Sequence, residues 1–151
     1  MCSRLKGAAS ILFNTIESSR GRRNANESHK CLVLPWELHR AAIELCFREN
    51  ILFKDMMTIV IRKEVIRLED FTNPTEVSLS FTFDSVKEHI HTSAFLPNEL
   101  VQSLKKVAHY TRITERIIIM NGLADYLLRE YGEKYPDLVL PIKNQEKQDS
   151  K

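Results

Sequence analysis

A mainly helical α+β fold, built from two β-α-α units fused in one chain, is what this sequence predicts. The pentad L-P-x-E-L occurs twice, starting at Leu34 and at Leu96, a shift of 62 residues. Each copy follows a short strand-like stretch and precedes two apolar patterns of helical period. One strand with two short helices cannot bury its own apolar faces. Two copies can, by pairing their strands into an antiparallel two-stranded ribbon laid over four helices.

The elements follow in order. Residues 1–27 are polar and carry Arg20, Arg22 and Arg23, which reads as a flexible basic arm. The first unit is expected over 28–70. Its strand is HKCLVL and its first helix begins at LPWEL. Leu38, Ala42, Leu45 and Cys46 are spaced i, i+4, i+7, i+8, one face of a helix. The same shift of 62 carries them onto Leu100, Leu104, Val107 and Ala108 of the second unit, expected over 89–132. Proline suits the first helical turn, and Glu37 and Glu99 suit the positive end of the helix dipole.

A second helix follows each first one. In the later copy Thr114 is a good N-cap for ERIIIMNGLADYLLREY, whose apolar face holds Ile118, Ile119, Gly122, Leu123, Tyr126 and Leu127. In the earlier copy Met56, Met57, Val60, Ile61, Val65 and Leu68 keep that spacing, and Met56 and Met57 are core residues. Leu52 stands at the equivalent cap position and is a poor cap, which makes Asn50 the candidate. Gly122 costs about 1 kcal/mol inside a helix. Either two helices cross closely there, or it is a tolerated surface glycine.

Between the units, residues 71–88 form a linker in which Val77, Leu79, Phe81 and Phe83 alternate with polar neighbours. That pattern predicts an extra strand over 76–83. Residues 133–151, with Pro136, Pro141 and a polar end, read as a frayed C-terminal tail.

Composition limits the function. At 43% hydrophobic and 28% charged the chain is of ordinary globular make-up. Its net charge of +2 gives no global basic field, so any polyanion would be met by local charge. No apolar run approaches the roughly 18 residues of a membrane span. The apolar stretch Ala8–Phe13 is too short for a signal peptide. Cys2, Cys31 and Cys46 are odd in number and make no C-x-x-C pair, which favours a reducing, cytoplasmic setting. No Gly-rich phosphate loop, G-x-S-x-G or H-E-x-x-H is present, so neither an enzyme nor a cofactor is expected. His89 and His91 lie two apart without a ligand set at recognisable spacing, and no metal is expected.

The order and lengths of these elements resemble the ribbon-helix-helix family. The match runs without a gap from about Ile90 to Leu128 and more weakly from His29 to Leu68, about half the chain. Most members of that family are homodimers. A tandem pair in one chain resembles the TraY-type relaxosome accessory proteins of conjugative plasmids, in layout and not in extended identity. The resemblance implies sequence-specific binding of double-stranded DNA, with the ribbon in the major groove. The role implied is that of a relaxosome accessory protein, with a relaxase as possible partner, or of a transcriptional regulator of a mobile element, in either case with self-association on DNA open.

Carried over residue by residue, the base-contacting positions are His29, Cys31 and Val33 with His91, Ser93 and Phe95. The opposite strand phase would expose Leu32, Leu34 and Leu96. Val33 and Phe95 depart from the hydrogen-bonding residues usual at such positions, though either side chain can touch a thymine methyl. Phosphate contacts fall on Arg112, Thr114 and Arg116 at one second-helix start and on Lys54 at the other. Arg20, Arg22 and Arg23 are either a solvated tail or an arm across the backbone. The apolar residues on the strand face leave an alternative: a protein-interaction module, antitoxin-like or an assembly adaptor.

Overall fold

A computed structural model describes residues 26–71, 77–83 and 88–145. The expected arm, with Arg20, Arg22 and Arg23, lies outside the described residues.

The structure is α+β and mainly helical, with a two-stranded antiparallel sheet and five helices among the described residues. Strand β1 (Glu27–Pro35) is followed by α1 (Trp36–Glu49) and α2 (Phe53–Glu69). Strand β2 (His89–Pro97) is followed by α3 (Asn98–Thr111), α4 (Glu115–Tyr131) and α5 (Pro136–Lys143). The bounds of β1, α1 and α2 recur in β2, α3 and α4 after the shift of 62, with lengths of 9, 14 and 17 residues.

The strands pair from Glu27 opposite Pro97 to Pro35 opposite His89. Side chains alternate across a strand. Leu32, Leu34, Ala94 and Leu96 therefore point into the core and are buried, while His29, Cys31 and His91 stand exposed on the outer face. The helices close the inner side with Leu38, Leu45, Met56, Met57, Ile61, Leu68, Leu104, Ile118 and Leu123, each fully buried. Burial of side chains of this size stabilises by about 1.5–3 kcal/mol apiece.

Two contacts locate a pseudo-twofold axis. Cys31 faces Ser93 across the ribbon, and these residues are equivalent under the repeat. Gly122 of α4 packs on Val60 of α2, its own equivalent: a Cβ at Gly122 would stand 3.5 Å from Val60 Cγ1 and 3.0 Å from Glu64 Cβ. Residues that meet their own equivalents must lie at the axis. The glycine thus sits at a close helix crossing, where nothing larger than hydrogen fits freely.

Both first helices end alike. Asn50 and Arg112, equivalent residues, take the left-handed conformation with φ of 56° and 63°. Asn50 is thus the C-cap of α1 and not the N-cap of α2. The α2 cap position falls to Leu52, which makes no side-chain cap bond. Thr114 Oγ1 accepts from the Ile117 N–H at 3.2 Å and caps α4.

Two expectations need correcting. Residues 77–83 form no strand. Phe81 is buried, but its N–H donates to Asn121 Oδ1 at 2.9 Å, a side chain and not a strand partner. Alternation specified which residues face the helices, while a ladder needs a neighbouring backbone edge as well. The tail is not frayed up to Gln145. Pro136 starts α5 at a position that needs no N–H, and Val139 and Ile142 bury against α1 and α4.

The linker is pinned by a buried polar chain. Asn121 Nδ2 donates to Glu64 Oε2 at 3.2 Å, and Arg67 Nη2 pairs with the same oxygen at 2.8 Å. Glu64 is only 4% exposed, so its charge is tolerable because both partners are present.

Candidate nucleic-acid interface

The outer ribbon face presents three cross-strand rows: His29 opposite Phe95, Cys31 opposite Ser93, and Val33 opposite His91. All six of the residues expected at the groove share this face. His29, Cys31 and His91 are exposed, and Val33, Ser93 and Phe95 are half-buried. The His29 and Phe95 rings meet edge-on at 5.4 Å between centroids. Chemically the face offers two imidazoles and a hydroxyl that donate and accept, one weak thiol donor and two apolar groups.

The start of α4 lies beside β1. Lys30 reaches from the strand to pair with Glu115, so that carboxylate is neutralised at the helix start. A hollow of about 120 Å³ opens there, lined by Lys30, Cys31, Val33, Glu115, Arg116 and Ile119. Arg112, Thr114 and Arg116 are all exposed around this end. Thr114 takes one of the first-turn N–H groups, and the others follow the usual rule for a helix N-terminus in having no partner within the helix.

The start of α2 differs. Lys54 is half-buried and pairs with Glu27 Oε2 at 3.5 Å, at the end of the ribbon where Glu27 faces Pro97. Asn50 and Leu52 occupy the places of Arg112 and Thr114. The two flanks of a symmetric ribbon are therefore chemically unequal. Arg20, Arg22 and Arg23 lie outside the described residues.

Sequence reasoning missed two surfaces. On α1, Trp36, Ile43 and Phe47 are 42%, 43% and 82% exposed, with Arg40 stacked over the Trp36 ring. On α3, Lys105, Lys106 and His109 are exposed. The repeat is recognisable in its buried face, where burial constrains residue type, and not in its outward positions. Applying the shift of 62 to the outward positions pairs Ile43 with Lys105 and Phe47 with His109, and exposes the contrast.

Among the described residues no group of three His, Cys, Asp or Glu side chains is placed to hold a metal ion, and no helix is long and apolar enough to cross a membrane. Burial pushes the Cys46 thiol up to about 11 and lowers His39, both on α1 and away from the ribbon face. Comparison with known proteins finds no matching family model, no matching curated protein and no matching solved structure.

Proposed function

We propose that this chain is a single-chain ribbon-helix-helix protein that binds double-stranded DNA by laying β1 and β2 in the major groove. The observation that carries the reading is the two-stranded ribbon on a pseudo-twofold axis, with its outer face turned to solvent and three rows of side chains on it. A B-DNA major groove, about 12 Å wide, admits such a ribbon, and its base edges present the donors and acceptors that His29, His91 and Ser93 match. Phe95 and Val33 suit thymine methyl groups. Arg112, Thr114 and Arg116 at the α4 start hold phosphates, and Lys54 does so at the α2 start once released from Glu27.

The biological setting that fits is a cytoplasmic DNA accessory protein, in a relaxosome or at a promoter of a mobile element. Because the two halves differ at two of three equivalent ribbon positions, Cys31 against Ser93 and Val33 against Phe95, while His29 and His91 match, the preferred site is an imperfect repeat and not a perfect palindrome.

Titration of a labelled duplex library by fluorescence anisotropy at several salt concentrations tests the reading. Binding that weakens steeply as salt rises is expected, with a sequence preference altered by His91→Ala or Ser93→Ala and not by Arg116→Ala. Absence of binding at low salt overturns it, and points instead to a protein partner on the same strand face.

A further inference from the structure

The repeat supplies its own control: whatever the fold alone requires of an outward position should be similar in both copies. On the outer side of α3 and its turn into α4, Lys105, Lys106, His109, Arg112 and Arg116 are exposed. Their equivalents in the first unit are Ile43, Glu44, Phe47, Asn50 and Lys54. One face carries four full cations. At the equivalent positions the other carries one cation, Lys54, which is paired with Glu27, and an acid, Glu44; the further exposed cations of α1 are engaged, Arg48 with Glu44 and Asp137 and Arg40 over the Trp36 ring.

None of Lys105, Lys106, Arg112 and Arg116 takes part in an ion pair among the described residues. The nearby acids are engaged elsewhere, Glu99 with Arg62 at 3.8 Å and Glu115 with Lys30. A chain with 22 basic and 20 acidic residues has little excess charge to spread. Four exposed cations without an ion-pair partner on α3 and its turn into α4 are therefore a local excess of positive charge, to which a polyanion is attracted.

We propose that the outer face of α3 is a second phosphate-contacting surface, which continues the DNA interface past the ribbon on one side only. This rests on the DNA-binding reading above and adds to it a polarity. Arg112 and Arg116 join the two surfaces, since they flank Thr114 at the edge of the ribbon. From Lys105 to Arg112 the helix rises about 10 Å, which spans two or three phosphates of one strand at about 3.4 Å of axis each. The first unit cannot make the same contact, because Ile43 and Phe47 stand in the place of Lys105 and His109.

The protein on DNA then has a heavy side and a light side. Contacts extend further from the pseudo-dyad toward α3 than toward α1, and the strand gripped by α3 bends toward the protein.

The test uses the full chain and the double variant Lys105→Ala, Lys106→Ala, whose exposed helical positions tolerate alanine. Binding is measured to a duplex just long enough for the ribbon, about one helical turn, and to one of about three turns. On the long duplex the slope of log affinity against log salt is expected to fall by about 1.8 units, two phosphate contacts at about 0.9 each. On the short duplex the two proteins should bind alike. Hydroxyl-radical footprints should lose protection on one side only. The reciprocal variant Ile43→Lys, Glu44→Lys should gain protection on the other side.

If the unaltered chain binds and the double variant matches it in slope and footprint on the long duplex, the α3 surface is refuted and the ribbon reading stands. If the unaltered chain binds neither duplex, both fall together.

Discussion

Replacing Arg112 by glycine separates what the fold wants from what the ligand wants. Arg112 ends α3 with φ of 63° and ψ of 26°, and its N–H donates to the Ala108 carbonyl at 2.9 Å. For a residue with a Cβ the left-handed region costs about 1–2 kcal/mol, which glycine does not incur. Glycine in turn gives the unfolded chain extra freedom, worth about 0.5–1 kcal/mol. The difference predicts that Arg112→Gly stabilises the protein by about 0.5–1 kcal/mol and raises the Tm by about 1–4 °C. The backbone cap bond is untouched, since it needs no side chain. The same variant removes a cation from the proposed interface, so the salt slope of DNA binding should fall by about 0.9. Asn50→Gly is the internal control. Asparagine tolerates the left-handed region, so the gain there should be a few tenths of a kcal/mol, with no change in slope. Thermal melts by circular dichroism and anisotropy titrations read the two effects separately. A lower Tm for Arg112→Gly refutes the strain argument, and an unchanged slope removes Arg112 from the interface.

Further outcomes follow from the packing. Asn121→Ala strips the Phe81 N–H of its acceptor and leaves Glu64 with one partner, so urea denaturation should show a loss of about 2–3 kcal/mol. Gly122→Val drives a branched side chain into Glu64 and Val60 at the helix crossing and should cost about 1–3 kcal/mol, with both helices affected together. Thr114→Ala should cost about 1 kcal/mol through the lost cap, whereas Leu52→Ser, at the equivalent uncapped and exposed position, should gain a similar amount; equal effects at the two sites would contradict the assigned caps. The Cys46 thiol, raised by burial from 9.0 to about 11, favours the folded state only while the unfolded thiol is neutral, so its contribution should vanish as pH rises from about 9 through 11. A stability curve flat over that range, set against Cys46→Ala, would count against its burial.

The sequence by itself determined the repeat, and with it more than any one element. The L-P-x-E-L pentads and the i, i+4, i+7, i+8 spacing recorded the buried faces, because burial constrains residue type at every turn. The strand phase followed from the same constraint, since only one phase hides Leu32, Leu34 and Leu96. Thr114 was legible as a cap because capping is local chemistry.

Where local pattern met tertiary choice, the structure decided. The alternation of 77–83 looked like a strand, yet its backbone found Asn121 and not an edge. Asn50 looked like the nearest N-cap, but the helix before it needed a left-handed terminus. The prolines after Gly132 read as disorder until α1 and α4 offered a surface on which Val139 and Ile142 are buried. Lys54 and Arg116 are equivalent in sequence, and only the fold brings Glu27 to one and leaves the other open. The polarity of the α3 and α1 faces was written in the outward residues all along, but solvent-facing positions carry no periodic signal. It took the pseudo-twofold axis to say which of them should be compared.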